Sequence, residues 1–171
     1  FDHAELPAGA SLIANLPYQI ATALLAEALR SGRYRRIAVL VQREVAERIV
    51  ARPGDPGFGA FSLLCEHFAH ARIVRDVAPG CFLPPPKVTS SIVRIDPRPG
   101  VGDDPATFAL IRQGFRHRRK TLRKNLVASG YAASSVVGAL DALGLDANVR
   151  AEALDLGDWR RLRERLPPVV G

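Results

Sequence analysis

Two hydrophobic rhythms follow one another along this chain. Up to Asp96, short apolar runs at Ser11–Ala14, Ile37–Val41, Ile73–Val77 and Ser91–Ile95 read as strands. Between them, apolar residues recur every three or four positions. Ile20, Leu24, Leu25, Ala28 and Leu29 predict a helix closed by Ser31-Gly32, and Val45, Ala46, Ile49 and Val50 predict a second, ended by Pro53-Gly54. A loop, RPGDPGFG, leads to a third helix over about Ala60–Ala69. The run IAVLV at Ile37–Val41 is of the kind buried on both faces of a sheet. Strand, helix, strand, helix, helix, strand, loop, strand predicts an α/β fold, the C-terminal half of a doubly wound Rossmann-like sheet. Half a sheet leaves a buried-type strand as an open edge, which invites aggregation, so a covering first half is expected to be missing.

The second rhythm is helical throughout. DPRPGVGDDP, residues 96–105, has a linker's composition. The division expected is 1–97, a partial α/β domain, and 98–171, a small all-helical domain. Helices are expected over Phe108–Gly130, Ser134–Leu143 and Gly157–Leu166, with Gly114 a place where the first could break. Phe108, Ile111, Phe115, Leu122 and Leu126 form its apolar stripe.

Charge changes the picture in that second part. The chain of 171 residues has a net charge of +7. No acidic residue occurs from Pro105 to Leu140, whereas Arg112, Arg116, Arg118, Arg119, Lys120, Arg123 and Lys124 all do. A merely solvated helix face usually carries compensating carboxylates at i±4; an unbalanced one points to a polyanion.

Composition narrows the class further. A hydrophobic fraction of 47% can bury a core. No apolar run approaches the ~18 residues of a membrane span, and the N-terminus FDHAELPAGA lacks the regions of a signal peptide. Methionine is absent and the chain begins with Phe1, so a fragment, a processed chain or a trimmed product is expected. Cys65 and Cys81, both in apolar surroundings, read as buried, reduced thiols of a cytoplasmic protein. His67 and His70, i,i+3 on the expected third helix near Cys65, lack a second ligand pair, and no metal is expected.

Two stretches carry candidate chemistry. In LIANLPYQIA an apolar run stops at Asn15, and Leu16, Pro17 and Tyr18 follow at the carboxyl end of an expected parallel strand, where ligands of open α/β sheets bind. One reading makes Asn15 the cap of the next helix and Pro17 part of its first turn. The other concerns the exocyclic amine of a nucleobase. The Asn15 side-chain carbonyl and the Leu16 backbone carbonyl accept its two hydrogens, Pro17 holds the backbone, and Tyr18 stacks on the base. In CFLPPPKVTSS, residues 81–91, three prolines stiffen the chain just after Phe82. Phe82 is either a core plug or the second wall of a slot for a flipped-out base, with Lys87 near phosphate.

NLPYQI at 15–20, QREVAERI at 42–49, FLPPPKVTSS at 82–91 and RRKTLRKNL at 118–126 occur together, in this order, in one family. The chain resembles the small-subunit ribosomal RNA adenine dimethyltransferases over nearly its whole length. The resemblance implies a Rossmann-like methyltransferase sheet with a small helical domain. It implies a cytoplasmic, monomeric enzyme using S-adenosylmethionine to dimethylate N6 of two adjacent adenines in the 3′-terminal hairpin of the small ribosomal RNA, with a role in assembly of the small subunit. Asn15 would hold the target amine beside the cofactor, Leu16 would offer its carbonyl, and Tyr18 and Phe82 would sandwich the base. Residues 116–124 would contact RNA, and His117 stands where the family pattern is expected to carry Asn. The family's glycine-rich turn and acidic ribose ligand have no counterpart here, since Glu27 and Glu47 lie on expected helices. Most of the cofactor site is therefore expected in an N-terminal segment outside this chain, which alone would be inactive. A non-catalytic RNA-binding assembly factor and a resistance-type methyltransferase of large-subunit ribosomal RNA are the alternatives.

Overall fold

The computed structural model describes residues 6–166. The chain sorts into two compact units. The first runs to Ala51 and resumes over Leu64–Asp103; the second takes in Arg52–Leu63 and the described residues from Asp104 onward.

The first unit is a four-stranded sheet with helices. Its elements are β1 (Ala10–Asn15), α1 (Ala21–Arg30), β2 (Tyr34–Gln42), α2 (Arg43–Val50), the later part of α3 (Ala60–Phe68), β3 (Ala69–Val77) and β4 (Ser90–Pro97). The sheet order is β1-β2-β4-β3. β1 and β2 are parallel, in register from Ser11 opposite Arg36 to Asn15 opposite Leu40, whereas β4 runs antiparallel to both β2 and β3. A parallel pair needs a crossover, and α1 supplies it, burying Ala21, Leu25, Ala28 and Leu29. Ile37, Val39 and Val41 of β2 and Val93 and Ile95 of β4 complete the core, with Ala46 and Ile49 of α2. β1 lies at one edge of the sheet and leaves Ile13 84% exposed.

The expected strands and helices of this unit are present, most of them longer by a few residues. Two local expectations fail. α3 ends at Phe68 and His70 lies exposed on β3, so His67 and His70 do not share a helix. His67 is committed to the Gly102 carbonyl, 2.9 Å from Nε2. Cys65 is buried as expected, but Cys81 is exposed, in the short 3-10 turn Pro79–Cys81 that opens the proline loop. Among the described residues no three His, Cys, Asp or Glu side chains gather as a ligand set.

The second unit packs α4 (Pro105–Gly114), α5 (Leu122–Ala128), α6 (Ala133–Ala142) and α7 (Leu156–Arg165) around the buried Trp159. The segment Arg52–Leu63 inserts Phe58, also fully buried, with its ring 6.4 Å from Phe115; the Phe115 ring in turn lies 5.9 Å from Trp159. The helix expected over Phe108–Gly130 is two helices. Residues 115–121 form a turn instead, for three physical reasons. A Cβ on Gly114 would collide with Trp159 Cη2, so the indole needs glycine there. Asn125 Nδ2 donates to the carbonyls of Gly114 (2.6 Å) and His117 (3.1 Å), closing the turn on itself. Thr121 caps the second helix by accepting from the Lys124 amide.

Candidate functional site

The carboxyl end of β1 and the proline loop before β4 line one open cleft. The Leu16 amide continues the β1–β2 ladder by donating to the Leu40 carbonyl at 3.1 Å, so the chain leaves the sheet at a fixed position. A turn over Tyr18–Ile20 follows, closed by the Ile20 amide on the Pro17 carbonyl at 3.1 Å. α1 starts only at Ala21, its N-cap is Ile20, and no side chain caps it. Asn15 is therefore not a helix cap and Pro17 is not in the first helical turn. The Asn15 side chain is exposed and makes no hydrogen bond to another described residue. That leaves its carboxamide available to a ligand.

The cleft has a volume of ≈ 350 Å³ and is lined by Asn15, Leu16, Pro17, Tyr18, Phe82, Pro84 and Pro86. Residues 67 positions apart in sequence, Asn15 and Phe82, thus meet in one concavity. Tyr18 is anchored by Ser90 at the start of β4, with 2.7 Å between its hydroxyl and Ser90 Oγ. Ser90 is wholly buried. The loop is pinned at its far end too, where the Arg43 amide donates to the Thr89 carbonyl and Ser91 Oγ to Asp76 Oδ1. Arg43 also bridges Glu47 (2.9 Å) and Asp76 (3.4 Å), and these carboxylates raise its pKa, the hydrogen bond to Glu47 first. Lys87 is exposed beyond Pro86 and does not line the cleft.

The basic residues lie in the helical unit. Arg112 sits on α4, Arg116, Arg118, Arg119 and Lys120 on the turn, and Arg123 and Lys124 on α5; all seven are exposed. None pairs with a carboxylate among the described residues. Arg118 differs from the rest, because its guanidinium donates to the Pro56 carbonyl at 3.0 Å and holds the Phe58 segment. Its charge remains at the surface while its geometry is set by the fold.

Sequence reasoning missed Ser90 and Asn125. Ser90 stands inside a quoted motif, but its role depends on a partner 72 residues away. Asn125 had a signal, a polar residue within the apolar stripe of Leu122 and Leu126, and it is buried at 1% exposure.

In Rossmann-type folds a glycine-rich turn after the first strand lets the backbone approach a nucleotide cofactor closely. β1 is followed by Leu16-Pro17, and β2 passes straight into α2. One exposed carboxamide beside backbone carbonyls fits a planar amine; it does not make up a cradle for S-adenosylmethionine.

The fold is that of the Rossmann-like methyltransferases. A dimethyladenosine transferase from Plasmodium falciparum matches with a TM-score of 0.76 at 24% identity, covering 92% of this chain and 66% of that one. The 23S rRNA methyltransferase ErmE matches at 0.66 and 24% identity, over 94% and 66%. The family model for ribosomal RNA adenine dimethylase matches residues 8–166, and the chain belongs to that family. It is 42% identical to the ribosomal RNA small subunit methyltransferase A of Deinococcus radiodurans, over 97% of this chain and 57% of that protein. With the protein of that name from Acidothermus cellulolyticus it shares 43% identity, over 91% and 55%. The chain thus spans little more than half the length of these relatives.

Proposed function

We propose that this chain carries the target-base and RNA-contacting parts of an S-adenosylmethionine-dependent adenine N6-dimethyltransferase of small-subunit ribosomal RNA. Its targets are two adjacent adenines of the 3′-terminal hairpin, modified during assembly of the small subunit by a cytoplasmic monomer. The observation that carries this reading is the convergence of Asn15, Leu16, Tyr18 and Phe82 on one cleft in a chain of this family.

The chemistry follows from the acceptor. The N6 lone pair of adenine is delocalised into its ring, which makes the amine a poor nucleophile. The Asn15 Oδ1 and the Leu16 carbonyl accept its two N–H hydrogens, pull the nitrogen toward tetrahedral geometry and free the lone pair. The same two acceptors stabilise positive charge as it develops on nitrogen, so their effect is largest in the transition state. Tyr18, held by Ser90, and Phe82, held by the proline loop, grip the base, each stack contributing roughly 1–3 kcal/mol. S-adenosylmethionine would supply the electrophilic methyl group of this reaction class, with Asn15 as the residue of this cleft that would stand beside it. The 171-residue polypeptide by itself is accordingly inactive, and micromolar binding of S-adenosylmethionine to it in calorimetry would refute that point. The exposed basic turn grips the ribose–phosphate backbone around the hairpin.

The cleft can be tested with 2-aminopurine in place of either adenine in a hairpin RNA. Binding of the chain is expected to quench its emission by stacking, and the double variant Tyr18→Ala, Phe82→Ala to restore it at saturating protein while weakening RNA binding by at least about 30-fold, the loss of two stacks. A non-catalytic RNA-binding factor, the reading favoured by the missing glycine-rich turn, would use the basic turn alone and leave the emission unchanged.

A further inference from the structure

Two depressions on the helical unit share the residues Ala109 and Gln113 of α4. The larger, ≈ 340 Å³, is also lined by Arg112, Arg116 and Ser129. The smaller, ≈ 90 Å³, is also lined by Ala106, Tyr131 and Arg163. Ala106, Ala109 and Gln113 recur at i, i+3 and i+7 on α4, and the two depressions adjoin at Ala109 and Gln113. Two of the residues in that stripe are alanines, which let a chain approach the helix closely. Arg112, Arg116 and Arg163 are exposed, and none pairs with a carboxylate among the described residues. At the centre, the Gln113 Oε1 is buried and accepts no hydrogen bond from another described residue. A buried acceptor without a donor is costly and calls for a partner. Gln113 as a whole is half-buried, so its side-chain torsions can turn the carboxamide toward a donor seated in either depression.

We infer that the two adjoining depressions act as one trough, a nucleotide subsite in which Arg112, Arg116 and Arg163 take phosphates and Gln113 accepts a hydrogen bond from the nucleotide between them. The inference rests on the RNA-binding reading above and goes beyond it. The convex turn 115–121 offers charge alone, which positions a polyanion without distinguishing one from another. The trough adds a neutral acceptor between guanidiniums, and guanidiniums match phosphate with paired N–H donors. The donor that fits is a nucleotide hydroxyl or amine: the ribose 2′-OH, which DNA lacks, or the exocyclic amine of a base, which uracil lacks. Gln113 and Arg163 thereby join the RNA-recognising residues, with Gln113 as a selector and Arg163 extending the path onto α7.

The test uses the 171-residue chain and fluorescence anisotropy with three single-stranded oligonucleotides of equal length: adenine-rich RNA, its 2′-deoxy counterpart and uracil-rich RNA. Gln113→Leu is expected to weaken binding of the adenine-rich RNA about fivefold, the loss of one hydrogen bond. It should also erase one preference: RNA over DNA if the donor is the 2′-OH, adenine over uracil if it is the amine. The slope of log affinity against log salt should stay unchanged. Gln113→Glu keeps an acceptor and should keep the preference at lower overall affinity, which separates recognition from misfolding. Arg163→Ala should flatten the salt slope by about 0.7, the value for one phosphate on a single strand. Retention of both preferences in Gln113→Leu, or an unchanged slope in Arg163→Ala, overturns the inference. If the wild-type chain fails to bind RNA, the broader reading falls as well. If it binds and responds to Arg119→Ala with Lys120→Ala but not to changes at Gln113 or Arg163, only the subsite falls.

Discussion

At the scale of single residues, the site depends on how firmly Tyr18 is held. Its hydroxyl meets a wholly buried Ser90 hydroxyl, and a buried polar group that loses its partner costs about 1–3 kcal/mol. Tyr18→Phe is therefore expected to lower stability within that range in urea melts, yet to keep most of the stacking and so most of the 2-aminopurine quench. Loss of the whole quench in Tyr18→Phe would show that the hydroxyl, not the ring, meets the base. The two cysteines give a second prediction. Burial pushes the Cys65 thiol from an ordinary 9.0 up to about 12, while Cys81 is exposed. At pH 8 a thiol reagent should modify Cys81 alone in the folded chain, and both on unfolding; equal rates in the folded chain would contradict this. Below pH 9 the Cys65 proton is bound in folded and unfolded chains alike. Between 9 and about 12 only the unfolded chain releases it, so stability falls as pH rises through that window, and Cys65→Ala should flatten the fall. The pattern of Asn15, Pro17, Tyr18 and Phe82 was legible in the sequence because residue type and spacing carry it. The Ser90 anchor and the exposure of Cys81 were not, because each depends on long-range packing.

At the scale of elements, the strands and most helices followed from hydrophobic period, and the error at 108–130 is instructive. Phe115 and Leu122 stand seven positions apart, two helical turns, so periodicity sees one helix across the polar residues between them. Tertiary contacts break it: the Trp159 indole against Gly114, and Asn125 drawing in two carbonyls. Gly114→Ala should overpack the core and destabilise the unit by about 1–3 kcal/mol, read as a lower melting temperature. Asn125→Leu leaves two carbonyls without their donor and should destabilise by at least as much. It should also weaken RNA binding, although no charge is removed, because the turn that presents Arg116, Arg119 and Lys120 loses its clamp. Unaltered RNA affinity in a folded Asn125→Leu chain would contradict that account of the turn.

At the scale of the whole molecule, charge and topology divide the work. In the unit with the cleft several carboxylates pair with arginines, as in Arg36 and Arg94 with Asp96 and Arg43 with Asp76. The helical unit leaves its seven clustered cations without carboxylate partners. Arg119→Ala combined with Lys120→Ala should weaken binding of a duplex RNA and flatten the salt slope by about 1.8, two phosphates at roughly 0.9 each. An unchanged slope would count against the patch. β1 lies at an edge of the sheet among the described residues and leaves Ile13 exposed, an open edge of the kind expected from the number and order of strands. The grouping of Arg52–Leu63 with the helices was not readable. It rests on one phenylalanine seated beside Phe115 and one arginine holding two carbonyls, neither of which has a local signature.

The central claim, that Asn15 holds the amine of a small-subunit ribosomal RNA adenine for methylation, is tested most directly by measuring N6,N6-dimethyladenosine in that RNA by mass spectrometry. The comparison is between cells whose gene product carries this chain with Asn15 and cells whose product carries Asn15→Ala. Loss of a transition-state contact of this kind predicts a fall in methylation rate of at least about 100-fold, with RNA affinity changed little. Dimethyladenosine at wild-type levels and rate with Asn15→Ala would contradict the account.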